Sequence, residues 1–306
     1  MIRIFHKSSH SHTLRTIDDY EPHSWIYAEG PTKDQLNDLA QRFSLDAGLL
    51  ADALDEDELP RLEVEDGIPY IFTRFVTMRG HTVMTSPMLI ALAKDQVITI
   101  SRNPFPRLEM FTEGKVEFDT ANQSMLLIKL LRQVSNTYKS YTNTLSKRIF
   151  SLTVKVENVR NEDIIGFVRY ENILYDLNTA LLRVENIFTS LMSGKIVRMN
   201  EDERDYVEDL ALETGQIIEI TQDNIRSIVN IREAYSTIMT NNLNRVIKLF
   251  TSLTVILTIP TLIGTFYGMN VQLPLDDWQH AFPFIVFGTV ALCIAAVWYF
   301  MKNDWL

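Results

Sequence analysis

The chain has 306 residues, a formal net charge of −10, 46% hydrophobic residues and one cysteine. That length admits two soluble domains or one domain with a membrane part, and the acidic balance excludes a nucleic-acid binder, which needs a basic face. The lone Cys293 excludes an intrachain disulfide, suits a reducing cytosolic setting for most of the chain, and reads as a small packing residue in an apolar run.

In chain order, the opening "MIRIFHKSSHSH" has no apolar core ahead of a small-residue cleavage site, so the chain is expected to begin in the cytosol. His6, His10 and His12 admit a metal, but a solvated, poorly ordered terminus is the expectation. A strand is expected over 25–29, helices over 33–43 and 46–54, and strands over 61–65, 69–78, 84–94 and 96–102. Asp66-Gly67, Arg79-Gly80 and Lys94-Asp95-Gln96 are the turn signals between them. These elements read as an α+β cytosolic domain over 1–118.

Beyond it the period changes. Leu127, Leu131, Val134, Tyr138, Tyr141, Leu145, Ile149, Leu152, Val156 and Val159 recur at three- and four-residue steps, the mark of a long amphipathic helix. A second follows over 164–191, so 119–199 reads as two long antiparallel helices, with Ser193-Gly194 as the stop. Asn200 and Glu203 resemble a capping box that starts a third helix. No break signal interrupts Ile217, Ile220, Asn224, Ile228, Ile231, Tyr235 and Ile238, a near-heptad stripe that fits packing within the subunit or self-association. Continued over 200–268, this stalk helix would be on the order of 100 Å long.

Residues 249–267 and 282–301 carry no charge, and each run is about the ~20 residues that cross a ~30 Å hydrocarbon layer. Spans are expected over about 246–268 and 282–302, with an outer loop at 269–281 and a tail at 303–306. Trp278, Trp298, Tyr299 and Trp305 suit the membrane interfaces. Arg245, Lys248 and Lys302 flank the spans, whereas the loop carries Asp276 and Asp277 and neither Lys nor Arg, so both termini are expected in the cytosol.

Two helices cannot enclose a water-filled path, so transport would require several copies around an axis. Asn244, Thr251, Thr254, Thr258, Thr261 and Thr265 repeat along one uncharged stripe of the first span, with Ile247 and Phe250 near its inner end. Such threonines also bond their own backbone, but the register points to a pore lining.

The stripe ends at Tyr267-Gly268-Met269-Asn270. With "PTLIGTFYGMN" and the closing "KNDWL", the chain resembles the CorA-type divalent cation channels, whose signature is Gly-Met-Asn at the end of the first of two C-terminal spans. The likeness in layout covers the whole chain. It implies a funnel-shaped homo-oligomer, a pentamer, spanning the lipid bilayer of the inner (plasma) membrane, which conducts Mg²⁺ and also Co²⁺ and Ni²⁺ and has no organic cofactor. It implies a selectivity filter at Tyr267, Gly268, Met269 and Asn270, where carbonyl and amide oxygens hold a hydrated ion without stripping its water. It further implies an apolar constriction at Ile247 and Phe250, and regulatory Mg²⁺ bound between subunits by Asp52 and Asp209. Asp55, Glu208 and Glu213 are neighbours that would share that task. Thr258 stands where some members carry methionine, the loop lacks Met-Pro-Glu-Leu, and the tail has one lysine. The alternative is a transporter of Zn²⁺ or another transition metal from the same superfamily, whose zinc branch tends to carry Gly-Ile-Asn; Met269 favours Mg²⁺. A membrane-anchored receptor would need an outer domain larger than this loop, and a tethered enzyme would need a nucleophile motif, phosphate loop or His/Cys cluster, none of which is found.

Overall fold

The computed structural model describes residues 1–7, 14–80, 82–153, 161–271, 273–274 and 278–306. His10, His12, Val156, Val159, Asp276 and Asp277, all singled out above, lie outside the described residues. The chain divides into two units, Met1–Ile231 and Arg232–Leu306.

In the first unit, runs rich in Ile, Val, Phe and Tyr form strands because such side chains suit a pleated, half-buried surface. The elements are β1 (Ile2–His6), β2 (Arg15–Ile17), β3 (Trp25–Glu29), α1 (Lys33–Phe43), α2 (Ala47–Asp52), β4 (Arg61–Glu65), β5 (Ile68–Arg79), β6 (Thr82–Leu92), β7 (Val97–Ser101) and the short α3 (Glu109–Thr112). One seven-stranded sheet has the order β2-β1-β3-β7-β6-β5-β4. β3 and β7 run parallel and every other neighbouring pair antiparallel. The tight β4–β5 turn uses Asp66 and Gly67, both at positive φ (51° and 79°), a backbone whose twist matches that of the flanking strands.

Both faces of the sheet are covered, which explains its nearly continuous apolar strands. Ile26, Ala28, Tyr70, Phe72, Leu89, Ile98 and Ile100 pack with Leu36 and Leu39 of α1 and Leu50 of α2. Trp25, Tyr27, Ile71, Phe75, Met88 and Ile90 alternate to the other face, against the long helices. Those are α4 (Gln123–Thr153), α5 (Asn161–Met192) and α6 (Glu201–Tyr267). Each fully buried side chain of this size contributes about 1.5–3 kcal/mol. Two polar groups of the core are paired: Trp25 Nε1 donates to Thr99 Oγ1 at 3.0 Å, and Phe105 N donates to the Tyr27 hydroxyl at 2.9 Å.

Three sequence expectations change here. The first residues form strands β1 and β2 rather than a solvated terminus, because Ile4 and Phe5 pair with Ile26 and Trp25 on β3, a partner distant in sequence. The helix α3 was not expected. Most of the near-heptad stripe is spent within one subunit: Ile217, Asn224, Ile228 and Ile231 are buried in the single chain, and Asn224 Nδ2 donates to Ser146 Oγ of α4 at 2.7 Å. Ile228 and Ile231 join Leu145, Ile149, Phe167 and Leu174 in a small core of α4, α5 and α6. The period over Ile217, Asn224, Ile228 and Ile231 therefore records packing within the chain, while Ile220 stays exposed.

The start of α6 is the capping box expected from sequence. Glu203 N donates to Asn200 Oδ1 at 2.8 Å, and Asn200 N donates to Glu203 Oε2 at 3.1 Å. The carboxylate's other oxygen, Oε1, accepts from Ser124 Oγ of α4 at 2.8 Å, and the residue is buried. Glu203→Ala should therefore cost about 1–3 kcal/mol, more than a cap alone, because it also leaves Ser124 without that partner. Calorimetry of the full-length protein should show the melting temperature falling by several degrees; a shift within error would mean that the box adds nothing.

Candidate membrane path and acidic sites

In the second unit, α6 continues to Tyr267 and α7 spans Ala281–Lys302. Both are long and apolar enough to cross a membrane, and almost none of their apolar window is buried inside the protein. Trp278, Trp298 and Tyr299 are exposed, and Lys302 Nζ sits 5.2 Å from the Trp298 ring centroid.

The two helices meet along one side of α6. Pro260, Ile263, Gly264 and Tyr267 line a cavity with Ala281, Ile285 and Thr289 of α7. Pro260 lies inside α6 and has no N–H to give to the carbonyl of Ile256 four residues back. The Cys293 thiol of α7 donates to that carbonyl, at 3.8 Å. The only cysteine therefore satisfies the acceptor that the proline leaves open, a role that needs both helices and that the sequence did not signal. Cys293→Val should lower the melting temperature by the equivalent of about 1 kcal/mol, with Cys293→Ser restoring it. Equal melting of all three proteins would remove the role.

At about 100° per residue, the stripe Asn244, Ile247, Thr251, Thr254, Thr258, Thr261 and Thr265 lies on the side of α6 turned away from Ile256 and Ile263. Phe250 adjoins it. All eight residues are exposed in the single chain. Each of the five threonines donates its hydroxyl hydrogen to the carbonyl four residues back, at 2.7–2.9 Å, onto Ile247, Phe250, Thr254, Leu257 and Thr261 respectively. The hydroxyl oxygens keep lone pairs and face outward as acceptors.

Gly268 closes the helix, its N–H bonded to Gly264 O at 3.0 Å, and Met269 N donates to Phe266 O at 3.2 Å. A Cβ on Gly268 would stand 3.3 Å from Gly264 O, tight against the helix's own last turn. The Tyr267 hydroxyl donates to Pro274 O at 3.2 Å and so ties the helix end to the following loop. Asn270 is exposed, just beyond the end of α6.

The acidic sites lie in the first unit. Asp52 ends α2 and pairs with Arg61 at 3.0 Å. The same guanidinium pairs with Glu58 and Glu63 and lies 4.0 Å from the Phe72 ring centroid. Arg74 donates to the carbonyls of Glu56 and Glu58, and Arg102 to the carbonyl of Leu54 and the carboxylate of Glu56. Six carboxylates, five in residues 52–58 and Glu63, thus share three arginines, which leaves three negative charges (6 − 3) around a segment fixed to the sheet. Asp209 is exposed on α6, as is Glu208, while Glu213 pairs with Arg132 of α4 at 3.8 Å. Among the described residues no group of three or more His, Cys, Asp or Glu is placed to hold a metal within one chain.

A family model described as "CorA-like Mg2+ transporter protein" matches residues 21–302. The chain belongs to the CorA family. It is 20% identical over 298 residues to the cobalt/magnesium transport protein CorA of Methanocaldococcus jannaschii, covering 92% of this chain and 91% of that one. It is 31% identical over 155 residues to the magnesium transport protein CorA of Helicobacter pylori, a match that spans about half of each, 49% of this chain and 47% of that protein. The complete structure of the CorA magnesium transporter from M. jannaschii superimposes with a TM-score of 0.89 at 19% identity, covering 100% of this chain and 99% of that one. The CorA fold is thus shared along the whole chain: a soluble α/β part, long helices and two candidate C-terminal membrane helices.

Within that CorA fold, the sequence-derived site residues form two groups. The stripe and the Tyr-Gly-Met-Asn turn share the end of one helix in the second unit. Asp52 and Asp209 sit on α2 and α6 of the first unit, and a site made by both from different copies lies beyond a single chain.

Proposed function

We propose that this CorA-family chain is a channel for Mg²⁺ that assembles as a homo-oligomer, a pentamer, in the inner membrane with both termini in the cytosol. The observation that carries the reading is the uncharged stripe of α6, turned away from α7 and ending at Tyr267-Gly268-Met269-Asn270. Copies arranged with these stripes inward would line a path with hydroxyl oxygens that still have lone pairs, a surface suited to an ion that keeps its water. A ring of charges would hold such an ion more tightly and release it more slowly.

In this reading the domain over 1–118 and the helices over 119–199 are cytosolic, 200–268 is the stalk and first span, 269–281 the outer loop, 282–302 the second span and 303–306 the tail. Gly268 carbonyls and Asn270 amides accept hydrogen bonds from the ion's first-shell waters, while the Tyr267 bond to Pro274 O holds the loop that presents them. Met269 shares that turn. Near the inner end of the stripe, rings of Ile247 and Phe250 shut the path by excluding water. Mg²⁺ shared by Asp52 of one copy and Asp209 of the next holds the cytosolic parts together in the closed state. Co²⁺ and Ni²⁺, hydrated ions of the same charge, pass the same filter.

Flux into liposomes with each divalent ion in turn tests the reading, together with light scattering of the solubilised protein. Mg²⁺ entry by an oligomer is expected. Flux confined to Zn²⁺ would favour a transition-metal transporter of the same superfamily, and an active monomer would end the pore model.

A further inference from the structure

The first unit contains a second polar site, far in character from the acidic segment. Arg107, Arg148 and Arg169 line one cavity of about 650 Å³, walled by β5, β6, α4 and α5. Among the described residues no Asp or Glu lines it. None of the three arginines takes part in an ion pair among the described residues, and Arg107 reaches only the Asn136 carbonyl, at 3.5 Å. In a chain of net charge −10, three arginines line one space, and no carboxylate among the described residues lines it with them. Like charges repel each other unless an anion sits among them.

The rest of the lining narrows the class of anion. Tyr141 and Tyr170 share the wall with Arg148 and Arg169, beside the apolar Val83 and Ile173. Tyr141 lies within the electrostatic reach of Arg148: burial pushes its hydroxyl pKa up, and the guanidinium opposes the rise. Aromatic and apolar walls accept a planar body, and arginine forks match phosphate oxygens in pairs. The volume falls in the range of about 300–1,000 Å³ that small-ligand sites occupy.

We propose that this cavity binds a small organic phosphate of the nucleoside monophosphate class, its phosphate held by Arg148, Arg169 and Arg107 and its planar base against Tyr141 and Tyr170. The site is separate from the ion path and does not depend on which ion the channel carries. A ligand there would bridge the β5–β6 hairpin to α4 and α5, and so stabilise the first unit by mass action.

Equilibrium dialysis and thermal melting of the full-length solubilised protein test it, with AMP, adenosine and inorganic phosphate as probes at fixed free Mg²⁺. AMP should bind saturably and raise the melting temperature, inorganic phosphate should bind at least about tenfold more weakly, and adenosine should not bind measurably, since it lacks the charged group. Arg148→Gln with Arg169→Gln should weaken AMP at least about tenfold. Should that variant misfold, the single Arg169→Glu at an exposed position should still weaken AMP while melting like the wild type without ligand. Absence of saturable AMP binding, equal binding of AMP and adenosine, or binding unchanged in the folded variants would overturn the proposal. So would variants that lose assembly in a protein that never bound AMP, since the arginines would then pair with carboxylates of another copy.

Discussion

Asn270→Ala is expected to reduce Mg²⁺ uptake at least about hundredfold while leaving the assembly intact. Asn270 is exposed beyond the last turn of α6, and the bonds that finish that helix belong to Gly268 and Met269, so truncating the side chain removes no support from the fold. What it removes is an amide oxygen at the C-terminal end of a long helix, where partial negative charge already favours a cation. In the proposed filter a hydrated Mg²⁺ would be recognised through its waters, and each lost hydrogen bond is worth about 1 kcal/mol. Several copies acting on one ion compound the loss, since every 1.4 kcal/mol is about tenfold. Asn270→Asp is the instructive companion: it keeps the oxygens but adds charge, and should slow release of the ion rather than abolish its binding. Flux into liposomes and light scattering read the two quantities separately. An Asn270→Ala protein that conducts like the wild type would sink the selectivity role.

The second large effect is expected for Asp52→Ala combined with Asp209→Ala, which should raise the internal Mg²⁺ needed for inhibition by about tenfold. A ligand shifts a conformational equilibrium only by its different affinity for the two states, and coupling of about 1–3 kcal/mol corresponds to roughly 5–150-fold. In the proposed mechanism Mg²⁺ shared between copies would make the closed state the loaded one, and emptying the sites would leave carboxylates that repel. The fold itself should tolerate both changes. Arg61 keeps Glu58 and Glu63 when Asp52 is gone, and Asp209 is exposed. One helix, α6, contains Asp209 as well as Ile247 and Phe250, so displacement at its amino end would have a covalent route to the proposed constriction. Mg²⁺ should protect the start of α6 from protease in the wild type and less so in the double variant. If inhibition and protection both stay unchanged, the sensor lies among other carboxylates of the two acidic runs, with Asp55 and Glu208 the next to replace.

Elements whose causes are local were legible from sequence. The strands β3 and β4, the helix α1 and the Asn200/Glu203 box are set by neighbours a few residues apart. The two apolar helices, and the Gly-Met-Asn that follows the first, were equally plain, because length against a bilayer and absence of charge need no tertiary information. The stripe of threonines was visible as a spacing, and its side of the helix followed from about 3.6 residues per turn.

Partnership was not legible. The same near-heptad spacing suits a contact between copies or a core within one chain, and only the packing of α4 and α5 decided for the core at Ile217, Ile228 and Ile231. The first strand needed β3 beside it to be more than an alternating pentapeptide. The partners of the acidic run 52–58 were not visible in sequence: Arg61, Arg74 and Arg102, the first two on strands β4 and β5 and the third just past β7, are brought to it by the fold. Likewise Cys293 and Pro260, far apart in sequence, acquired a shared purpose at the Ile256 carbonyl only when α7 lay against α6. Sequence by itself determined most of the helices and strands and the two helices apolar and long enough to cross a membrane, through periodicity and hydropathy acting along the chain. The tertiary structure alone decided which charges are compensated and which polar atoms are satisfied, because electrostatics and hydrogen bonding depend on distances through space between residues that the chain order keeps apart.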